Sequence, residues 1–200
     1  PLLEPLFRNL RKSIVAFFSF HTSDILDVAC GTATQVRLLS EAGFRAIGCD
    51  LSRAMLVRGR SKTQPGKPVL LVEADSAHLP FCDGRFGAAV IVLALHEMPF
   101  SEAVTTVKEM KRVVRPGGWI VIAELNTFSR PLPALVSALM RCVEPPCFRD
   151  FTKRSLKDIF DAAALVVDDR RFFFGGLVVV TRSVAKEGNS TTVCPAVPPV

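Results

Sequence analysis

Five segments of this chain carry side chains suited to ligand chemistry. In order they are Asp27-Val28-Ala29-Cys30-Gly31-Thr32-Ala33, then Asp50, Asp75-Ser76, His96-Glu97 and Glu124-Leu125-Asn126. Each closes a short apolar run. The first is built of small residues, which let a ligand approach the backbone. A dinucleotide turn asks for GxGxxG, so that a pyrophosphate can sit on a helix N-terminus. Here one glycine stands where that pattern has three, and Asp27 precedes it. A carboxylate there repels pyrophosphate and suits an ammonium group. Asp50 follows Gly31 by nineteen residues, at the place where a carboxylate accepts both hydroxyls of a ribose. His96 is the side chain in this set best fitted to exchange a proton near neutral pH.

These residues need strands that end together. The runs DILDVA, FRAIGC, VLLVEA, FGAAVIVLAL and WIVIAEL read as five strands. The fourth is apolar almost throughout, as befits a parallel strand covered on both faces. Between them, helical spacing places Val36, Leu38 and Leu39 on one face over 34–42. A further helix is expected over 52–61 with Ser52 as N-cap, and another capped by Ser101, in which Val104, Val107, Met110 and Val114 line one side. Arg115-Pro116-Gly117-Gly118 is expected to stop that helix. Such alternation is an α/β sheet with right-handed crossovers and helices on both faces. In an open sheet of this kind, ligands bind beyond the carboxyl ends of the strands.

The ends of the chain break the alternation. Leu6, Leu10, Ile14 and Phe17 recur at helical spacing, so an amphipathic helix is expected within residues 1–20. The core is expected over 21–125. Residues 126–163 read as a helical insert and a helix, with Phe128, Leu132, Leu135, Leu139 and Phe148 as an apolar cover over an acceptor. Residues 164–185 read as a hairpin around Gly175-Gly176 within the same domain, and 186–200 as a disordered tail. The fold class expected is therefore α/β, a Rossmann-like seven-stranded sheet, mostly parallel with a C-terminal antiparallel hairpin.

Composition sets outer limits. With 200 residues, 49% hydrophobic and 22% charged, the chain is globular and of one-domain size. No apolar run reaches the roughly 18–20 residues of a spanning helix. The net charge of +6 and pI of about 9.3 permit an anionic partner without a basic run to mark one. The six cysteines form no CxxC pair. No metal site is expected, and reduced thiols in a cytoplasmic protein are favoured over a disulfide framework.

Four segments together resemble the class I S-adenosylmethionine-dependent methyltransferases, in the small-molecule branch similar to the ubiquinone and menaquinone C-methyltransferases. ILDVACGTATQ resembles the family's LDxGxGxG, and GCDLSRAML its GxDxSxxML. EADSAHLPFCDGRF resembles xxDAxxLPFxDxxFD, and VVRPGGWIVIAE resembles RVLKPGGxLVIxE. The resemblance covers about residues 20–125. Ala29 and Ala33 stand where two motif glycines are usual, Gly87 stands where aspartate is usual, and the chain has no tyrosine.

The resemblance implies S-adenosylmethionine as cofactor and S-adenosylhomocysteine as product. Asp27 would face the methionine amino group, with Ala29, Cys30 and Gly31 bordering the methionine. Asp50 would hold the ribose, Leu51 and Met55 would pack on the adenine, and Asp75 with Ser76 would meet its amino group. Leu93 and Ala94 would flank the cofactor on the acceptor side, and His96 would act on the acceptor. The acceptor implied is a small quinone-like, lipid-like or aromatic molecule. An RNA methyltransferase and a non-catalytic cofactor-binding protein are the alternatives. Against the first, the segment after the fourth strand is LHEMP, with neither an NPPY-like run nor a Pro-Cys nucleophile.

Overall fold

A computed structural model describes residues 4–18, 24–63, 69–126, 151 and 154–185. Seven strands form one sheet: β1 Ile25–Val28, β2 Ala46–Asp50, β3 Leu70–Glu73, β4 Phe86–Val92, β5 Val114–Leu125, β6 Asp169–Phe173 and β7 Val178–Val184. Their order is β3-β2-β1-β4-β5-β7-β6. The first five pair in parallel, and β7 runs antiparallel to both β5 and β6. This is the Rossmann-like, mostly parallel sheet with an antiparallel hairpin that the strand runs required. The strand order reverses between β1 and β4. Each strand leading away from that point ends in a loop on the same side, where a crevice opens.

Burial follows the apolar runs. Every residue of β1 and β4 is buried, because helices cover both faces of the central sheet. The helices among the described residues are α1 Glu4–Val15, α2 Thr34–Glu41, α3 Arg53–Ser61, α4 Phe100–Val113 and α5 Leu156–Ala162. On α1, Leu10 and Ile14 are fully buried, and Phe17 just beyond it is nearly so. On α2 the buried residues are Gln35, Val36 and Leu39, with Leu38 half-buried. Gln35 is buried because its amide reaches back to α1, donating to the Arg11 carbonyl at 3.2 Å.

Two local expectations change. Ser101 does not cap α4: the N-cap is Pro99, and Ser101 lies inside the first turn. The ring of Pro99 fixes its φ at −55° with ψ at 147°, so the chain enters the helix directly after it. Arg115-Pro116-Gly117-Gly118 ends α4 but belongs to β5. Phe86 pairs with Val114 and Ala88 with Trp119, so the intervening residues form a bulge. Gly118 is required there, since a Cβ would lie 2.6 Å from the Gly87 carbonyl oxygen.

The C-terminal strands β6 and β7 pair as the expected antiparallel hairpin. Helix α5 begins after Ser155, whose hydroxyl and Asp158 form a reciprocal capping box. Gly175 lies between β6 and β7 with φ at 65°. The insert at 127–150 and the tail at 186–200 lie outside the described residues. Cys30 and Cys49 are free and buried, while Cys82 is disulfide-bonded, so the expectation of reduced thiols fails at that position. Among the described residues, no helix is long and apolar enough to cross a membrane and no cluster of potential metal ligands occurs.

Candidate active site

At the carboxyl ends of the parallel strands lies a cleft of about 450 Å³. Its first wall is the turn from β1 into α2. Ala29, Gly31 and Ala33 all adopt left-handed backbone, with φ of 51°, 54° and 57°. This alternation turns the chain tightly enough to point backbone groups into the cleft. Only glycine takes that conformation without steric cost. Two alanines here therefore hold it against strain, at the same two places where the sequence departs from the glycine pattern.

Asp50 holds the turn from β2. One carboxylate oxygen accepts from the Gly31 N–H at 2.7 Å and the other from the Ser52 N–H at 2.8 Å. A carboxylate keeps further lone pairs for a ligand after two such bonds. Ser52 caps α3 by accepting from the Met55 N–H at 3.4 Å. Gly59 lets α3 approach the turn: a Cβ there would lie 3.1 Å from the Thr32 carbonyl carbon. Leu51 is 70% exposed and Met55 40%. Both line the cleft and offer an apolar surface beside Asp50.

Asp27 is the buried charge of the site. Its Oδ2 has no hydrogen-bond partner among the described residues. Burial pushes its pKa up to about 7; Arg11 opposes that shift, Asp50 adds to it, and a hydrogen bond from the Val36 amide opposes it. A buried carboxyl with an unmatched oxygen, in a residue that lines the cleft, is suited to receive a donor or a cation. Cys30 also lines the cleft. Burial, with Asp27 close by, pushes its thiol well above the ordinary range, so it is inert as a nucleophile.

The opposite end of the cleft is set by α4. Asp75 accepts from the Ala77 N–H at 2.8 Å and pairs with His78 at 3.1 Å; these two contacts lower its pKa. The loop after it is pinned by Arg112, whose guanidinium donates to the Leu79 and Phe81 carbonyls at 2.9 and 2.7 Å and to Asp83 at 2.8 Å. Glu109 completes the brace by accepting from the Leu79 N–H at 2.9 Å. Ser76 is buried, and its hydroxyl shares a 3.0 Å hydrogen bond with that of Thr106.

Beyond β4, Leu93 carries φ of 54°, unusual for a large side chain. Leu93, Ala94, Glu97 and Met98 form the wall here. His96 is not among the described residues that line the cleft. Its imidazole is buried, donating from Nδ1 to Glu124 at 2.7 Å and meeting the Phe151 ring edge-on at 6.1 Å. The structure therefore brings Asp27, Ala29, Cys30, Gly31, Asp50, Leu51, Met55, Asp75, Ser76, Leu93 and Ala94 to one cleft and sets His96 behind its wall. Thr32 of the first segment also lines it, as do Arg11, Thr34 and Glu102, which the sequence did not single out. Thr34 opens α2 three residues after Gly31 and was findable from the turn; Arg11 and Glu102 arrive on α1 and α4 with no local signal.

Comparison with known proteins agrees with this geometry. Residues 26–122 match the family described as a methyltransferase domain. The chain is 37% identical over 103 residues to a demethylmenaquinone methyltransferase of Corynebacterium kroppenstedtii, covering 52% of this chain and 42% of that protein. It is 38% identical over 113 residues to one of Staphylococcus saprophyticus, covering 55% and 48%. The matched segments thus span less than half of these relatives' length. A SAM-dependent methyltransferase structure from Aquifex aeolicus shares the fold, with a TM-score of 0.66, 18% identity, and coverage of 88% and 89%.

Proposed function

We propose that this chain, which carries a methyltransferase domain over residues 26–122, binds S-adenosylmethionine in the cleft and transfers its methyl group to a small hydroquinone-like acceptor. The observation that carries the reading is the buried Oδ2 of Asp27, unpartnered among the described residues, beside a turn clamped by Asp50. The cofactor has an ammonium group to match the first and a ribose diol to match the second. Among the described lining residues, five carboxylates face one arginine, Arg11, and a cofactor of net positive charge suits that balance.

The parts divide as follows. Asp27 takes the amino group, and Arg11 sits close enough to offset its charge. Asp50 takes the ribose hydroxyls while keeping its backbone donors. Leu51 and Met55 cover the adenine, with Asp75 and Ser76 at its edge. Leu93 and Ala94 border the reacting methyl. The sulfonium supplies an activated methyl that leaves a neutral thioether. The chain's work is then to align an acceptor behind that methyl and exclude water.

The demethylmenaquinone methyltransferase relatives favour a quinone-type acceptor. An electron-rich hydroquinone ring carbon is the nucleophile such a step needs. The new carbon–carbon bond forms as the carbon–sulfur bond breaks, its electron pair goes to sulfur, and the ring proton leaves to water or a base. Incubation with methyl-labelled cofactor and a panel of reduced quinones, phenols, amines and RNA tests this. Label in the reduced quinone supports the reading. Label only in RNA moves the protein to the RNA-modifying class, and no transfer alongside tight cofactor binding makes it a non-catalytic binder.

A further inference from the structure

Glu124 is fully buried at the end of β5 and is satisfied entirely by N–H donors. Its Oε2 accepts from the Leu95 N–H at 2.9 Å and the His96 N–H at 3.4 Å. Its Oε1 accepts from His96 Nδ1 and from its neighbour Leu125 N–H, each at 2.7 Å. A carboxylate only accepts, so the Nδ1 of His96 carries the proton. One strand residue thus gathers the one-turn 3-10 helix Leu95–Glu97 that follows β4.

The same β5 end fixes what lies on either side. The Leu93 N–H donates to the Ala123 carbonyl at 2.8 Å, holding Leu93 in its left-handed conformation. Asn126 ties the next position to the C-terminal hairpin, donating from its side chain to the Gly176 carbonyl at 2.8 Å. Backbone held in a sparsely populated conformation persists only where its surroundings over-determine it. Here Leu93 and Ala94 face the cleft, and the groups that determine them sit behind it.

We infer that Glu124 and His96 are positioning residues: the buried pair fixes the backbone of 93–97, and with it the acceptor-facing wall, with His96 working through its Nδ1–H rather than as the base. The inference rests on the methyl-transfer reading of the cleft for its consequence, but the clamp is a property of the fold. The sequence alone left His96 acting on the acceptor directly; here it acts through the backbone of 93–97.

Three substitutions separate the roles. Asparagine places an N–H donor near the Nδ1 position, glutamine near Nε2, and alanine neither. In His96→Asn, amide exchange of Leu95 should stay within about threefold of the parent, whereas His96→Ala and Glu124→Gln should speed it at least tenfold while Val90 in β4 stays protected. With a short-chain reduced demethylmenaquinone, His96→Asn should retain most turnover. His96→Ala and His96→Gln should raise KM for the acceptor at least tenfold, and S-adenosylhomocysteine affinity should move less than twofold in all. Loss of turnover in His96→Asn equal to that in His96→Ala, with Leu95 protection intact, would overturn the inference in favour of a base. Unchanged Leu95 exchange in His96→Ala would remove the clamp. Failure of the parent protein to methylate the hydroquinone, with exchange behaving as described, would fault the acceptor reading and leave the clamp standing.

Discussion

The Asp50 carboxylate reaches across nineteen positions to accept the Gly31 N–H at 2.7 Å, joining the end of β2 to the turn that follows β1. Because its other oxygen holds the Ser52 N–H at the start of α3, one side chain sets two walls of the cleft. Charged hydrogen bonds contribute roughly 1.5–3 kcal/mol each. Asp50→Ala is therefore expected to weaken S-adenosylhomocysteine binding at least tenfold by calorimetry and to lower unfolding stability by about 2 kcal/mol. An unchanged dissociation constant would place the ribose elsewhere.

Asp27 links cofactor binding to pH. Its folded pKa of about 7 lies above the ordinary 3.8. Between those values the folded chain keeps a proton that the unfolded chain releases, so this group's contribution to stability falls as pH rises from about 4 to 7 and levels beyond. Cofactor affinity runs the other way, rising through pH 7 as the carboxylate forms to meet an ammonium. Asp27→Asn should be more stable than the parent at pH 8 by roughly 1–3 kcal/mol, and its weaker affinity should be flat with pH. Parallel pH profiles for parent and variant would refute this.

The two left-handed alanines should respond differently to glycine. A left-handed alanine costs roughly 1–2 kcal/mol, and glycine returns about 0.4–1 kcal/mol of that through unfolded-chain entropy. At half-buried Ala29 the balance predicts a gain of roughly 0.5–1 kcal/mol. Ala33 is fully buried and also gives up a packed methyl worth about 0.8 kcal/mol, so Ala33→Gly should be neutral or destabilising. Thermal melts of the two variants check the difference; equal shifts would contradict it.

Gly48 carries a packing requirement in β2. A Cβ there would lie 2.7 Å from Cys30 Sγ, 2.8 Å from Val36 Cγ2 and 2.9 Å from Leu71 Cδ2. Overpacking of a core typically costs about 1–3 kcal/mol. Gly48→Ala should fall in that range by urea unfolding and should weaken cofactor binding through displacement of Cys30. A stable variant with full affinity would show that the three neighbours yield freely.

The sheet was legible because its strands are short, β-branched and punctuated, and because parallel strands buried on both faces read as unbroken apolar runs. The cleft residues on the first three strand ends were legible for the same reason: each directly follows its run. What failed was non-local. The Ser101 cap was misplaced because proline geometry two residues earlier governs the start of α4. The Arg112–Glu109 brace joins a helix to a loop some thirty residues earlier, and neither carries a local signal. His96 was placed correctly after β4, but its orientation depends on Glu124, 28 residues on. A side chain's direction there is decided by the partner that desolvates it, and sequence spacing does not show that partner.

The central claim is that the cleft holds the methyl donor, and calorimetric titration with S-adenosylhomocysteine tests it most directly. The account predicts one molecule bound per chain with micromolar-order affinity, lost by at least tenfold in Asp50→Ala, and no comparable response to NADH. Tight binding of NADH with no heat from S-adenosylhomocysteine would contradict it.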